Sequence, residues 1–462
     1  MPLKLISRPQ DQTIPEEDRA LISIRNFPRY TKENFKKTNR GSTNDYFASQ
    51  SFPTREMSDE NTKSNKRRNE DLNDFMRSNE EFAKIGGENL NTNENSIEYT
   101  KYNAMPRFNA IRSIAEECIN DDDLLDVIRL KNFPVCYDGF EPSGRMHIAQ
   151  GIMKTNIVNK LTANNCKYKI WIADWFAMLN NKMGGDLEKI KIVGLYMIEL
   201  WKACGMNLEN VEFVWASDEI NKNPNKYWSL VMDIAKNNTL KRVIRCSQIM
   251  GRDETDDLTA AQIFYPCMQC ADIFFLNVDI CQLGLDQRKV NMLAREYSNI
   301  KKMKHKPVIL SHHMLLGLSK PVDTKLIGVD RGIELKMSKS KPDSCIFMTD
   351  SEEEIKRKFN KAYCPEKVVE DNPVLEYCKY IVFEKVDKLL IERPNKWGGN
   401  LEFNNYQDLE KAFVKGELHP ADLKIAVARE INKLLIPVRE HFENNNTAKK
   451  LKKLVESYQV TR

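Results

Sequence analysis

The first 105 of the 462 residues contain no valine, tryptophan or cysteine, whereas asparagine occurs there 14 times. Their charges cancel, with 17 Lys and Arg against 17 Asp and Glu. Apolar residues appear only in short groups without a helical or strand period. Such a segment cannot bury enough apolar surface to offset the entropy lost on ordering. We therefore predict a disordered, low-complexity extension over residues 1–105.

Other absences narrow the class of protein. The chain has no run of about 18 apolar residues, so we predict no membrane span. Its beginning lacks the apolar stretch of a signal peptide, and its 11 cysteines are scattered. We therefore expect a cytoplasmic protein with reduced, mostly buried thiols. Cys267 and Cys270 form a CxxC without a second pair, so we predict no metal site.

What the chain does have, between residues 106 and 345, is an alternation of short apolar runs with helical patterns. Strands are predicted at 133–140, 168–174, 211–217 and 306–311, and helices at 147–161 and 186–204. This alternation indicates an α/β fold with a doubly wound parallel sheet, which binds ligands at the carboxyl ends of its strands. After about residue 351 only helical patterns remain. We therefore predict an all-helical domain over residues 346–462.

Two loops of the predicted α/β domain carry chemistry. The first, EPSGRMHIAQ at 141–150, is a glycine-containing turn at a helix start, where free N–H groups and the helix dipole favour an anion. His147 in this loop could donate to a phosphate oxygen. The second, KMSKS at 336–340, places Lys336 and Lys339 as flexible positive charges. Such charges suit phosphates that become more negative during transfer.

Together these loops resemble the HIGH and KMSKS signatures of class I aminoacyl-tRNA synthetases. KMSKS matches in full, whereas the first signature is degenerate, with Ala149 and Gln150 in place of glycine and the second histidine. Further stretches resemble tyrosyl-tRNA synthetases of the archaeal and eukaryotic type. They are YDGFEPSG at 137–144, YPCMQCAD at 265–272, GLDQRK at 284–289 and ELHPAD at 417–422. The resemblance covers about residues 108–462.

The resemblance implies a role for each matching residue. The catalytic set is His147, Gln150, Lys336 and Lys339. The tyrosine-binding set is Tyr137, Glu141, Tyr265, Gln269, Asp272 and Gln287. The ATP-binding set is Gly139, His147, Gly284, Asp286, Lys336, Met337, Ser338 and Lys339. The tRNA-binding set is Arg288, Lys289, Trp397, His419 and Asp422.

The residue types agree with this assignment. Tyr265, Gln269 and Asp272 stand at positions i, i+4 and i+7, which places them on one helical face. A tyrosine substrate needs an apolar slot and partners for its hydroxyl. Tyr137 at a strand end and Asp272 on the helix could both reach that hydroxyl. Asp272 stands within the apolar run ADIFFL, and burying an unpaired carboxylate is costly. We therefore expect this side chain either to be paired or to bind a ligand.

The expected function is ligation of tyrosine to tRNA(Tyr) with ATP, accompanied by Mg²⁺. The expected organisation is a catalytic domain at 106–345 with a helical insertion at about 215–265, followed by a helical anticodon-binding domain. The insertion resembles the dimer interface of the family, so a homodimer is expected. Three alternatives remain open: a tryptophanyl-tRNA synthetase, a smaller nucleotidylyltransferase, and a non-catalytic tRNA-binding or scaffold protein.

Overall fold

One six-stranded sheet organises the first part of the fold, as seen in a computed structural model of the chain. The structure describes residues 104–251, 257–321, 331, 335–337 and 342–459. Nearly all of the predicted extension therefore lies outside the described residues, and so do Ser338 and Lys339 of the KMSKS segment.

The sheet is parallel apart from one edge. Its strands are β1 (Glu117–Ile119), β2 (Val135–Phe140), β3 (Lys167–Ile172), β4 (Val211–Trp215), β5 (Ile280–Cys281) and β6 (Val308–Ser311). They lie in the order β1-β6-β5-β2-β3-β4, and only β1 pairs antiparallel to its neighbour. The predicted doubly wound α/β fold is confirmed, with the correction that the edge strand β1 is antiparallel. The sequence did not reveal β1 because three residues are too few to form an apolar period.

Helices cover both faces of this sheet. Those of the first part are α1 (Ala104–Arg112), α2 (Asp121–Leu130), α3 (Lys154–Ala163), α4 (Asp174–Leu179), α5 (Leu187–Ala203), α6 (Ala216–Lys222), α7 (Pro224–Lys236), α8 (Leu240–Ile244), α9 (Ala260–Phe275) and α10 (Arg288–Ile300). A π-helix, Ala149–Met153, precedes α3. The segment between β4 and α9, where an insertion was predicted, holds α6, α7 and α8. Within the described residues no helix is both long and apolar enough to cross a membrane.

The second part is helical except for one small hairpin. Its helices are α11 (Glu352–Lys361), α12 (Pro373–Tyr377), α13 (Tyr406–Lys415), α14 (Pro420–Asn444) and α15 (Asn446–Ser457), with a π-helix at Cys378–Val382. Strands β7 (Leu389–Ile391) and β8 (Leu401–Phe403) pair antiparallel. The expectation of an all-helical segment is therefore wrong at this hairpin. Each strand has only three residues, so it leaves no alternation that sequence analysis can detect.

The order of connections places a cleft beside β2. From β2 the chain continues to β3 and β4 on one side, and later returns to β5 and β6 on the other. Gly139 of β2 pairs with Trp171 of β3, while Tyr137 pairs with Cys281 of β5. Where the connections diverge in this way, no loop covers the carboxyl ends of the two central strands. The fold therefore predicts a ligand site beyond Tyr137 and Gly139.

A histidine just beyond β6 joins the two parts of the chain. His313 Nδ1 lies 2.6 Å from Glu116 Oε2, and His313 Nε2 lies 3.0 Å from Glu376 Oε1 in α12. The imidazole stacks on Tyr380, with the ring centres 4.2 Å apart. Burial lowers the pKa of His313, but the two carboxylates outweigh burial and bring that pKa to about 9. His313 is therefore a cation at neutral pH, held by one carboxylate from each part.

This cation makes the stability of the fold depend on alkaline pH. A histidine pKa of about 6.5 in the unfolded chain and about 9 here means that the stabilisation is complete below about pH 6.5 and is lost as the pH rises through about 9. The shift corresponds to at most about 3.4 kcal/mol of unfolding free energy. Urea unfolding of the wild type and His313→Gln should give a stability difference that shrinks across this window. The exposed His305 supplies the control, His305→Gln. If the stability difference between the wild type and His313→Gln stayed constant with pH, His313 would not act as a cation between Glu116 and Glu376.

Candidate active site

A cavity of about 250 Å³ opens at the carboxyl ends of β2 and β5. Its wall contains each described residue that the sequence assigned to catalysis, tyrosine binding or ATP binding. These are Tyr137, Gly139, Glu141, His147, Gln150, Tyr265, Gln269, Asp272, Gly284, Asp286, Gln287, Lys336 and Met337. The fold therefore brings together residues that are up to 200 positions apart in the chain. Ser338 and Lys339 belong to the predicted set but lie outside the described residues.

The loop after β2 is fixed by a segment that precedes α11. Ile148 N–H donates to the carbonyl of Ile346 at 2.9 Å, and Met348 N–H donates to the carbonyl of Met146 at 2.9 Å. Gly151 follows in the π-helix, where a Cβ would lie 2.3 Å from Met348 Sδ, so a larger residue would displace the Met348 side chain. Trp201 of α5 donates from Nε1 to the carbonyl of Gln150 at 2.8 Å. These contacts hold His147 and Gln150 against the cavity.

One end of the cavity contains a buried carboxylate with an open oxygen. Asp272 of α9 is 1% exposed, and its Oδ1 accepts a hydrogen bond of 2.9 Å from the Tyr227 hydroxyl. Its Oδ2 is buried and makes no hydrogen bond of standard geometry among the described residues, and the indole N–H of Trp171, which is also unpaired, lies near the carboxylate. Burial raises the pKa of Asp272 well above its ordinary value, although Tyr227 and the indole of Trp171 oppose that rise. An acceptor oxygen without a partner in an apolar wall is costly, and it marks a place for a donor.

Tyr137 stands close to this carboxylate. Burial raises the pKa of its phenol well above the ordinary value, and the charge of Asp272 raises it further. The Tyr137 hydroxyl also lies 3.2 Å from the position a Cβ would take on Gly139, so glycine leaves the hydroxyl room. Phe176 packs edge-on against Tyr265 with ring centres 5.0 Å apart and lines the same cavity. This end therefore offers aromatic walls and polar groups suited to a phenol.

The middle of the cavity is lined by acceptors. Glu141 accepts hydrogen bonds from the Tyr265 hydroxyl at 2.7 Å and from Asn180 Nδ2 at 3.0 Å. Gln269 donates from Nε2 to Gln287 Oε1 at 3.0 Å, and Gln287 in turn donates to the carbonyl of Ile249. The carboxylate of Glu141 and the amides of the two glutamines form a wall suited to an ammonium group.

The far end combines a lysine with an aspartate. Lys336 Nζ donates to Asp286 Oδ2 at 2.6 Å, and both side chains remain partly exposed to the cavity. Gly284 lies beside them, where a Cβ would be only 2.6 Å from Asp286 Oδ1 and from Met314 Sδ. The backbone therefore approaches the cavity closely at this point. A lysine beside a carboxylate suits a ligand that carries both phosphates and hydroxyl groups.

The predicted tRNA-binding residues are not part of the described cavity wall. Arg288 begins α10 and pairs with Glu117 at 2.8 Å, and Lys289 follows it. Trp397 is 66% exposed in a short turn between β7 and β8. His419 caps α14 by accepting the N–H of Ala421 at 3.1 Å, and Asp422 lies in the first turn of that helix. The structure thus places Arg288 and Lys289 at the start of α10, whereas Trp397, His419 and Asp422 lie in the second part of the chain.

Sequence reasoning missed several residues of the cavity and its surroundings. Tyr227 lies in the predicted insertion, 45 positions from Asp272, and its sequence context carries no signal for this contact. Asp138 and Lys154 form a buried ion pair in the cavity wall. Here a signal existed, because each is a charge within an apolar pattern, one in a strand and one in a helix. His312 lies in the wall as well. The described residues contain no group of three or more His, Cys, Asp or Glu that could hold a metal ion.

Comparison with known proteins agrees with this geometry. The family model of class I tRNA synthetases (W and Y) matches residues 130–436. Tyrosine–tRNA ligase 1, cytoplasmic, of Arabidopsis thaliana is 57% identical over 356 residues, which are 77% of this chain and 89% of the relative.

Two solved structures are similar as well. Leishmania major tyrosyl-tRNA synthetase in complex with tyrosinol has a TM-score of 0.71 and 48% identity, covering 77% of this chain and 61% of that chain. Pyrococcus horikoshii tyrosyl-tRNA synthetase complexed with L-tyrosine has a TM-score of 0.70 and 36% identity, covering 76% and 99%. The chain therefore belongs to the class I aminoacyl-tRNA synthetases, and within them to the tyrosine–tRNA ligases.

Proposed function

We propose that this chain activates L-tyrosine with ATP and transfers the tyrosyl group to tRNA(Tyr), and that the cavity beside β2 is where both steps occur. The observation that carries this proposal is the open Oδ2 of Asp272, a buried acceptor close to the Tyr137 hydroxyl. The phenolic O–H of tyrosine supplies the donor that this oxygen lacks. Its amino group then meets the wall of Glu141, Gln269 and Gln287.

The same arrangement accounts for the rejection of phenylalanine. A phenylalanine ring would fill the slot but leave Asp272 and Tyr137 buried without a partner, which costs about 1–3 kcal/mol for each unsatisfied group. Tyrosyl-tRNA synthetases are themselves the standard example of this effect, and their discrimination of about 10⁵-fold against phenylalanine is an established property of the family. Tryptophan is disfavoured because an indole is larger than the ring that the slot is proposed to hold.

Activation needs positioning and charge stabilisation rather than a covalent nucleophile. A carboxylate oxygen of tyrosine forms a bond to the α-phosphorus of ATP, and the bond from that phosphorus to pyrophosphate breaks. His147 and Gln150 are proposed to donate to phosphate oxygens from one side, and Lys336 from the other. Lys339 shares this role in the proposal. ATP is expected to arrive as its Mg²⁺ complex, without a dedicated protein cage for the ion.

In the second step a terminal ribose hydroxyl of tRNA attacks the acyl carbon, and AMP leaves. Arg288 and Lys289, next to the cavity residue Gln287, are proposed to contact the tRNA there. Trp397, His419 and Asp422 are proposed to contact the anticodon, since an exposed indole can stack on an unpaired base.

Trp397→Ala should therefore lower aminoacylation of tRNA while leaving ATP–pyrophosphate exchange unchanged, because exchange does not involve tRNA. An equal loss in both assays would exclude this role.

The proposal extends to the organisation of the protein. Residues 106–345 serve as the catalytic domain and 346–462 as the anticodon-binding domain, and the cytoplasm is the proposed location. A homodimer is proposed through the insertion, since Trp228 and Met232 of α7 and Phe264 of α9 expose 38%, 60% and 49% of their surface. Exposed apolar groups on neighbouring helices are typical of an interface between subunits. Sedimentation velocity measures this state directly.

Replacing the open carboxylate tests the selection of tyrosine. Asp272→Asn keeps the volume but presents an amide in place of a charged acceptor, so kcat/KM for tyrosine should fall about 10- to 200-fold in ATP–pyrophosphate exchange. Phenylalanine should be affected far less, so the tyrosine-to-phenylalanine ratio falls. Asp174→Asn is the matched control, because Asp174 is also buried but binds Ser217 and lies outside the cavity wall. An unchanged ratio in Asp272→Asn would refute the assignment.

Replacing Lys336 tests whether it stabilises the charge that develops on the phosphates. Lys336→Ala should slow the formation of tyrosyl-adenylate about 10²- to 10³-fold, measured by rapid quench, because the charge that develops on the phosphates loses a partner. The Kd of tyrosine should stay within about 3-fold of the wild-type value, since Lys336 pairs with Asp286 at the other end of the cavity. The exposed Lys356 supplies a control, Lys356→Ala. Parallel losses of binding and rate would show that Lys336 does not act in the transition state.

A further inference from the structure

A series of buried polar side chains, three of which line the cavity, ends at His312. Lys154 of α3 pairs with Asp138 of β2, and the two side chains are 2% and 6% exposed. Lys154 Nζ also donates to Gln282 Oε1 at 2.7 Å. Gln282 is fully buried, and its Nε2 lies 2.9 Å from His312 Nδ1. The series is therefore Asp138, Lys154, Gln282 and His312.

The lysine determines the hydrogen-bonding role of every later member. A lysine ammonium can only donate, so the atom of Gln282 that faces it must be the carbonyl Oε1. The Tyr168 hydroxyl also donates to that oxygen at 2.9 Å. The amide nitrogen Nε2 of Gln282 then faces His312 and donates to its Nδ1. A ring nitrogen that accepts carries no proton, so the neutral imidazole of His312 bears its proton on Nε2.

His312 also stays neutral at physiological pH. Burial lowers its pKa well below the ordinary value, and the positive charges of Lys154 and His313 lower it further, whereas an interaction of the ring with the Leu283 backbone carbonyl opposes the shift. A neutral imidazole with a fixed tautomer is a hydrogen-bond donor of one direction only. His312 thus differs from its neighbour His313, which is held as a cation between two carboxylates.

The donor lies at the end of the cavity that holds Asp286. His312 Nε2 is 3.5 Å from the point that a Cβ of Gly284 would occupy, and Asp286 Oδ1 is 2.6 Å from the same point. A bridge pairs the backbones of Gly284 and His312. A donor and an acceptor therefore flank one short stretch of the wall. A hydroxyl group is the complement of such a pair, because its oxygen accepts while its hydrogen is donated.

We infer that His312 is a nucleotide-binding residue, whose Nε2–H donates to a ribose hydroxyl oxygen of ATP, and that Asp138, Lys154 and Gln282 are positioning residues that fix its tautomer. This inference rests on the proposed function, since it assumes that ATP occupies the Asp286 end of the cavity. It predicts that recognition of the ribose depends on Gln282, whose side chain lies outside the cavity wall.

The direct test compares ATP with 2′-deoxy-ATP and 3′-deoxy-ATP in tyrosine-dependent pyrophosphate exchange. The wild type should disfavour one deoxy analogue. In His312→Asn, which places an amide at the Nδ1 position, kcat/KM for ATP should fall about 3- to 12-fold, mainly through KM, and the preference over that analogue should fall by the same factor. In His312→Gln the amide reaches the Nε2 position, so most of the preference should remain. The KM of tyrosine should not change in either variant.

The effect of Gln282 on the tautomer of His312 can be tested without altering the cavity wall. Glu at position 282 cannot donate to Nδ1, so Gln282→Glu should move the proton of His312 to Nδ1 or charge the ring. Nitrogen NMR of ¹⁵N-histidine-labelled protein reads this tautomer, and with six histidines His312→Asn identifies the signal. The expected result is Nε2–H in the wild type and a change in Gln282→Glu that accompanies loss of ribose discrimination.

The outcomes separate this inference from the function on which it rests. No exchange with tyrosine and ATP in the wild type would refute the proposed function itself. Normal exchange, with the same deoxy-analogue preference in His312→Asn as in the wild type, would overturn only the role of His312. An Nδ1–H tautomer in the wild type would show that Asp138, Lys154 and Gln282 do not fix the tautomer as inferred. Thermal unfolding of each variant identifies any that is misfolded; if His312→Asn is, the loss of ribose discrimination expected in Gln282→Glu carries the test.

Discussion

The structure of the site depends on a buried carboxylate that is only half satisfied. Asp272 keeps one oxygen bonded to Tyr227 and leaves the other without a partner among the described residues. Folded proteins rarely leave a buried acceptor unpaired, because the lost solvation costs about 1–3 kcal/mol. Such an exception is expected where a ligand completes the bonding. The carboxylate is carried by α9 and held on its other oxygen by Tyr227 of α7, so two helices position the open oxygen.

A second buried aspartate shows the alternative solution. Asp138 lies on the strand next to Tyr137, but Lys154 pairs with it from α3. Burial raises the pKa of Asp138 and lowers that of Lys154, while their attraction opposes both shifts. The pair leaves no open acceptor, and the remaining donors of Lys154 orient Gln282. Asp272 thus keeps one oxygen open for a ligand, whereas the charge of Asp138 is neutralised by Lys154, which also orients Gln282.

The sequence predicted what depends on local period or on strand order. The strands at 133–140 and 211–217 and the helix at 186–204 were found because their apolar residues repeat over many positions. Loops at the carboxyl ends of parallel strands meet, so residues as distant as His147 and Lys336 could be assigned to one site. Strands β1, β5, β7 and β8 were not found, because two or three residues form no period. The contacts of Asp272 with Tyr227 and of Lys154 with Gln282 join residues 45 and 128 positions apart, and only the folded chain reveals them.

The open oxygen of Asp272 is proposed to receive the phenol of the substrate. A crystal structure of the protein with L-tyrosine bound would locate that phenol. The phenolic oxygen should lie within about 3.0 Å of Asp272 Oδ2, with the amino group beside Glu141, Gln269 and Gln287. A tyrosine bound in the opposite orientation, with its ammonium group at Asp272 and its phenol toward Lys336, would contradict this proposal.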